Sequence, residues 1–148
     1  MFTEMKFQKL YDRISRLKVD LKEVVRDVLS ESDVQQRIIE KNQEQLYDKG
    51  IQADGSSTGT YSPRTIKIKA EKGQKTSFVT LKDTGEFYRS MKVETDGAGI
   101  KISGDMIKPT QDLEDLWPKA LGLTNESKAE ILEEIKGRVV GKFREKTA

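Results

Sequence analysis

The sequence predicts an α+β fold with N-terminal helices, a small antiparallel β-sheet with a short capped helix between its strands, and a C-terminal helix. Apolar residues recur at intervals of three and four over residues 7–28 and 131–143, which is the spacing of one helix face. Apolar and polar residues alternate over 92–103 around a glycine-containing turn, which indicates a β-hairpin. The chain of 148 residues is long enough for one domain with a modest core. We therefore expect an amphipathic heptad helix over residues 1–30 and a single α+β domain over residues 31–148.

Composition excludes several kinds of active site. Hydrophobic residues make up 34% of the chain and charged residues 35%, a polar balance that fits either a long solvated helix or a surface that a partner covers. The 27 basic and 25 acidic residues give a net charge of +2, so we expect no bulk attraction to nucleic acid or to an anionic membrane. The chain has no cysteine and no histidine, which excludes cysteine zinc sites and Ser–His or Cys–His nucleophiles. We expect no catalytic residue, no cofactor and no metal site.

The N-terminal helix carries an apolar seam. Its residues alternate in steps of three and four over about three heptads, and charged residues fill the other faces. The seam residues are Phe7, Leu10, Ile14, Leu17, Leu21, Val24 and Val28. Such a helix can lie on its own domain, or it can pair with a copy of itself or with a neighbour in an assembly.

A second helix and a loop come next. Residues 30–33 interrupt the seam and offer N-caps, and helical spacing continues as far as Tyr47 before Gly50, which suits a left-handed C-cap. Residues 51–63 are small, polar and rich in glycine, which is typical of a flexible loop. In a small domain such a loop is either disordered or a contact arm that orders on assembly.

Residues 64–82 form a local basic region. Alternation over 64–69 and 76–81 predicts two paired strands, so that this region would be a hairpin. Its basic side chains could each neutralise a phosphate, although no aromatic residue interleaves with them to read bases. These residues are Arg64, Lys67, Lys69, Lys72 and Lys75.

The segment before the second hairpin joins a helix cap to apolar side chains. Asp83 or Thr84 can cap a short helix through a side-chain oxygen, and Gly85 permits close backbone approach. Phe87, Tyr88 and Met91 would put apolar surface on one side of that helix. We expect Leu81, Phe87 and Met91 to anchor it to the sheet. The turn between the hairpin strands falls on residues 96–99.

The C-terminal part contains a short acidic segment, the only tryptophan and a long helix. Trp117 is expected to be a core or interface anchor. Thr124 is expected to cap the last helix, whose glycines at 137 and 141 either allow another backbone to approach or mark a frayed end. The apolar stripe of this helix is Ile131, Leu132, Ile135, Val139 and Phe143. Its acidic residues fit a solvated face.

Over residues 34–144 the order of elements resembles that of neck, tail-completion and virion-morphogenesis proteins of tailed bacteriophages. The recognisable segment has the pattern Leu-x-x-Thr-Gly-x-Leu/Phe-x-x-Ser-hydrophobic and enters a β-hairpin. It is represented here by Leu81, Thr84, Gly85, Phe87, Ser90 and Met91. The segments 61–63 and 121–124 are similar to that group as well, whereas the N-terminal heptad helix looks like an addition.

The resemblance implies a non-enzymatic protomer that forms a homo-oligomeric ring at the head–tail junction or at the tail end. Its partners would be itself and other virion proteins: portal, connector or tail tube. The protein would be found in the virion, and in the host cytoplasm before assembly, without a membrane. The loop 51–63 and the basic hairpin 64–82 would be contact arms. The alternative is a small nucleic-acid-binding module that uses the basic hairpin.

Overall fold

The computed structural model describes residues 2–96, 99–108 and 111–147. The α+β class is confirmed. Helix α1 spans Phe2–Leu29 and helix α2 spans Ser32–Glu44, followed by a π-helical turn over Gln45–Lys49. The turn ends at Gly50, whose φ of 61° gives the left-handed C-cap that the sequence predicts.

Helices α3 to α6 and two small hairpins complete the chain. Helices α3 (Pro63–Glu71) and α4 (Glu86–Arg89) lead to strands β1 (Lys92–Asp96) and β2 (Gly99–Ser103). These strands are antiparallel, with Val93 opposite Ile102, as the alternation predicts. The central turn residues 97 and 98 lie outside the described residues.

Two-residue strands β3 (Ile107–Lys108) and β4 (Gln111–Asp112) pair next to helix α5 (Leu113–Leu116). Helix α6 then spans Asn125–Thr147. Thr124 accepts a hydrogen bond through Oγ1 from the Ser127 backbone N–H at 3.1 Å, so its predicted capping role is confirmed.

Two apolar clusters form the core. The first joins the end of α1, α2, the β1–β2 hairpin and α6. Its buried members are Val28, Val34, Ile38, Val93, Ile102, Leu123, Ile131 and Ile135. The second lies around α4 and α5, with Leu46, Phe87, Tyr88, Met91, Met106, Leu113 and Ala120. Ile39 and Leu121 pack against both clusters, so they connect the two parts of the core.

The two strands predicted for the basic region are wrong. Residues 64–69 lie in α3, because Ser62 accepts from the Thr65 N–H and Pro63 occupies the first helical turn. Residues 76–81 belong to no strand; their backbone bonds to the preceding loop instead, where Val79 N–H donates to the Gly59 carbonyl at 2.9 Å. The region is therefore a helix followed by an extended segment.

Helix α6 is tied to α1 and α2 by ion pairs that recur every fourth residue along it. Arg37 makes three hydrogen bonds to Glu134, at 2.9, 3.0 and 3.3 Å. Arg138 contacts Glu31 at 2.8 Å and Asp33 at 2.6 Å. From the N-terminal end of α6, Glu130 pairs with Lys41 and Glu134 pairs with Arg37. Arg138 then pairs with Glu31 and Asp33, and Lys142 also pairs with Glu31. Lys146 completes this ladder by pairing with Asp27 and Glu23.

One residue of the apolar stripe predicted for α6, Leu132, is wrong. Ile131 and Ile135 are buried, but Leu132 is 56% exposed because it points away from the first cluster. A Cβ built on Gly137 or Gly141 would meet nothing within 4 Å, so no described part of the protomer approaches either glycine closely.

Candidate assembly and binding surfaces

The seam of α1 is divided between the protein's own core and the surface. Val24 and Val28 are fully buried against the domain. Toward the N-terminus the seam is exposed, and no described residue covers it; the Leu17 side chain lies outside the described part. This exposed seam consists of Phe7 (66% exposed), Leu10 (53%), Tyr11 (67%), Ile14 (46%) and Leu21 (45%). The C-terminal end of the helix therefore lies on its own domain, whereas pairing of the exposed N-terminal end with a copy or a neighbour stays a prediction.

The predicted basic arm is largely engaged within the protein. Lys69 Nζ lies 4.8 Å from the centre of the Tyr61 ring and 3.3 Å from Gln74 Oε1. Lys72 pairs with Asp83 at 3.5 Å. Lys75 donates to the Tyr47 carbonyl at 2.9 Å.

By contrast, Arg64 and Lys67 are exposed one turn apart on α3. Neither makes an ion pair with a residue whose side chain the structure describes. Of the five basic residues proposed as phosphate contacts, these two are the most available.

Aromatic rings lie beside the lysines, which the sequence did not indicate. Lys75 Nζ lies 4.4 Å from the centre of the Phe78 ring, and Lys82 Nζ lies 5.2 Å from that of Tyr47. Such cation–π contacts hold both partners. The contacts with Tyr47 were missed because Tyr47 is distant in sequence from the basic region, on the turn that closes α2.

A groove of about 510 Å³ runs between α3 and residues 79–83, with Trp117 at one wall. On its rim Gln74 donates to Asp83 Oδ1 at 3.1 Å, and this bond, with Lys72 nearby, lowers the pKa of the Asp83 carboxyl. The volume is within the range of small-ligand pockets.

The segment from Leu81 to Met91 forms the predicted short helix, but its cap differs. Gly85, with a φ of 85°, is the N-cap residue of α4, and Thr84 Oγ1 accepts from the Glu86 N–H at 3.4 Å. Asp83 does not cap the helix because its carboxylate is turned toward Gln74 and Lys72.

The other motif residues join α4 to the core and to the chain near residue 105. Phe87 and Met91 are buried, and Leu81 is half-buried against the same cluster with a φ of 59°. Ser90 Oγ donates to the Phe87 carbonyl at 2.6 Å and accepts from the Asp105 N–H at 2.8 Å. The motif therefore connects α4 to the chain beyond the β1–β2 hairpin.

Trp117 anchors the loop at 51–63. Its indole Nε1–H donates to the Thr58 carbonyl at 2.7 Å, while the ring packs on the second cluster. Thr58 is itself buried and donates to the Val79 carbonyl at 2.6 Å. These bonds fix one point of the loop; its predicted ordering on assembly stays a prediction.

Two buried amides hold the entry to α6. Asn42 donates to the Ala120 carbonyl and accepts from the Gly122 N–H, both at 2.9 Å. Gln45 donates to the Gly122 carbonyl and accepts from the Thr124 N–H, also at 2.9 Å. Each amide thus satisfies backbone groups that burial would otherwise leave unpaired. Helical spacing alone did not indicate this role.

Within the described ranges, no cluster of three or more acidic, histidine or cysteine side chains could hold a metal ion. Among the same residues, no helix combines the length and apolar character needed to cross a bilayer. Comparison of the chain with protein-family models, curated proteins and solved structures gave no match in any of the three.

Proposed function

We propose that this chain is a non-enzymatic structural protein of a tailed-phage or prophage virion, of head–tail connector or tail-completion type, that assembles as a ring at the neck or tail end. The exposed seam of α1 carries the proposal. From Phe7 to Leu21 it extends about 21 Å along the helix, at about 1.5 Å per residue. Removal of such apolar surface from water is the main driving force for association.

The exposed area of the whole chain supports the same function. A compact monomer of 16.8 kDa exposes about 7,600 Å². This chain exposes 10182 Å², roughly a third more. An assembly subunit has that excess because neighbouring copies, or portal, connector or tail-tube proteins, cover part of its surface.

The virion role itself rests on the motif that runs from Leu81 to Met91. In this protein the motif forms a short helix that is anchored by Phe87 and leads directly into a β-hairpin. This is the arrangement that the resemblance implies for head–tail joining proteins.

Sedimentation velocity of the full chain over a concentration series tests self-assembly. We expect species larger than the monomer that grow with concentration. The double variant Leu10→Ser/Ile14→Ser should sediment as a monomer, whereas Leu132→Ser, an exposed apolar residue outside the seam, should behave as the wild type. A strict monomer at every concentration would contradict self-assembly.

Immunogold electron microscopy of purified particles from a producing host tests the virion role. We expect label at the head–tail junction or at the tail end. Particles without label would rule out a virion role even if the protein self-associates.

A second function is favoured by one observation, the exposed pair of Arg64 and Lys67 on α3. In this alternative the chain is a small nucleic-acid-binding module, and residues 64–82 contact phosphates.

A further inference from the structure

A second exposed surface has the chemistry that complements the α1 seam. Strand β3 and helix α5 are adjacent, because the Leu113 N–H donates to the Met106 carbonyl at 2.8 Å. Met106 and Leu113 point inward, whereas Ile107 is 73% exposed and Leu116 is 54% exposed. We call the outer surface the β3–α5 patch; it consists of Asp105, Ile107, Asp112, Glu114, Asp115 and Leu116.

The two surfaces carry opposite charge. Between positions 7 and 16, α1 has three basic residues and one acidic residue, Asp12. The basic residues are Lys9, Arg13 and Arg16. The four charged residues of the β3–α5 patch are all acidic; the side chain of the one lysine in β3, at position 108, lies outside the described part. No described side chain forms an ion pair with Lys9, Arg13 or Arg16, nor with Glu114 or Asp115.

We propose that the exposed seam of α1 in one copy docks on the β3–α5 patch of a second copy, so that the chains associate head to tail. Phe7 to Ile14 spans about 10 Å, at about 1.5 Å per residue, which suits a patch built from one two-residue strand and one helical turn. Both surfaces are exposed in the same protomer, so they do not cover one another within a chain. Each added copy therefore leaves one seam and one patch free, which is the condition for a ring or an open array.

Pairing of α1 with α1 is a poorer fit. Val24 and Val28 are already buried against the protomer's own domain, so only about two heptads remain for a partner helix. In a parallel pair the heptad register would also set Arg13, at a g position, against position 18 of the partner, a lysine in the sequence. Like charges at these positions oppose association.

This inference rests on the proposed function, because it names the surface through which copies meet. Charge exchange tests it. One variant carries Arg13→Glu and Arg16→Glu, and a second carries Glu114→Lys and Asp115→Lys. Each alone should need about tenfold more protein to associate, because the first variant gives the seam the same negative charge as the patch, and the second cancels the net negative charge of the patch. A 1:1 mixture should associate as the wild type does.

The control is Glu133→Lys/Glu145→Lys, which changes as many exposed acids on α6 and should not alter association. If the Glu114→Lys/Asp115→Lys variant alone associates as the wild type does, the β3–α5 patch is wrong while self-assembly stands. If the wild type is monomeric throughout, the docking proposal and the proposed self-assembly both fail.

Cysteine crosslinking gives a second readout that does not depend on the stability of the charge variants. Because the chain has no cysteine, disulfides in a mixture of Tyr11→Cys and Leu116→Cys proteins can form only between the introduced positions. We expect a disulfide-linked heterodimer under mild oxidation, and none when Leu132→Cys replaces Leu116→Cys. Efficient crosslinking of Tyr11→Cys to itself, without the heterodimer, would overturn the head-to-tail arrangement in favour of paired α1 helices.

Discussion

Phe87 is the side chain that fills the centre of the second cluster. It is 1% exposed and meets the Tyr88 ring edge to face, with 6.1 Å between ring centres. A Cβ added at Gly104 would come within 3.2 Å of it, so the ring is closely surrounded. The sequence predicted this burial because Phe87 and Met91 are four residues apart on a short helix.

We expect Phe87→Ala to destabilise the fold by about 3–5 kcal/mol, because it removes a buried ring and leaves a cavity. That is a large part of the total stability of roughly 5–15 kcal/mol that is usual for a domain. Chemical denaturation measures the change. Leu132→Ala, which truncates an exposed apolar side chain outside both proposed docking surfaces, is the control, and an unchanged denaturation midpoint for Phe87→Ala would show that the Phe87 ring is not part of the core.

Gly50 combines a backbone requirement with a close contact. Its φ of 61° is in the left-handed region, and a Cβ there would lie 2.5 Å from the Phe78 ring. The sequence predicted the left-handed cap from the position of the glycine at the helix end, but the neighbouring ring comes from a segment 28 residues further on.

Gly50→Ala should therefore lower the melting temperature more than Gly73→Ala. Gly73 also has a positive φ, of 71°, but nothing lies within 4 Å of its added Cβ. The backbone strain of about 1–2 kcal/mol is common to both variants, so the difference measures the clash with Phe78. Equal melting temperatures would mean that the ring moves aside freely.

At the scale of elements, α3 shows how one local signal overrides another. The alternation of Ile66 and Ile68 with polar residues is typical of a strand, but Ser62 and Pro63 form a helix start. The helix forms, and both isoleucines stay partly exposed, at 38% and 44%. Alternation of apolar and polar residues predicts a strand only where a neighbouring strand is available for pairing. Among the described residues, no strand lies beside Ile66 and Ile68.

We expect the basic region that includes α3 to bind duplex DNA weakly, with a Kd of about 10⁻⁴–10⁻⁶ M at physiological salt. Most of its lysines are held by rings, carbonyls or Asp83. A salt titration of DNA binding by the assembled protein checks this. Arg64→Gln/Lys67→Gln should account for most of the residual binding, with Lys69→Gln/Lys75→Gln as the matched control. Tight binding that survives physiological salt and is lost in the first variant would make nucleic acid the primary partner.

The ion-pair ladder makes the packing of α6 sensitive to acid. Lys142 and Arg138 lower the pKa of Glu31, and Arg138 lowers that of Asp33. Lys41 and Arg37 likewise lower the pKa values of Glu130 and Glu134. Since the pKa of each carboxyl is lower in the folded state than in the unfolded chain, these groups stabilise the fold above their unfolded pKa of about 4. The contribution is lost as the pH falls through the folded pKa.

Thermal melts between pH 7 and pH 2 should accordingly show a melting temperature that falls below about pH 4. Glu130→Gln/Glu134→Gln should flatten that dependence. Glu133→Gln/Glu145→Gln, two exposed acids outside the ladder, should leave it as in the wild type. An identical pH profile for both double variants would show that the ladder pairs do not contribute to stability.

For the whole molecule, the sequence predicted which segments are helices at both ends and where the β1–β2 hairpin lies, because these depend on local periodicity and caps. It did not predict how the seam of α1 is divided. The heptad pattern is the same from Phe7 to Val28, and only the length of the domain beneath the helix determines that Val24 is covered while Ile14 is not. The contacts of Lys75 and Lys82 with the Tyr47 ring were missed for a similar reason, since they join distant segments.

The order of charges along α6 also restricts where that helix can settle. Its ladder residues change sign once, between Glu134 and Arg138. If α6 slipped by one turn in one direction, Arg138 would face Arg37; in the other direction, Glu134 would face Asp33 and Glu31. The apolar stripe disfavours such a slip less, since Ile131 and Ile135 are four residues apart and one would take the place of the other. The change of charge sign along the ladder opposes a slip in either direction. It therefore selects one register of the C-terminal helix where apolar packing alone discriminates less.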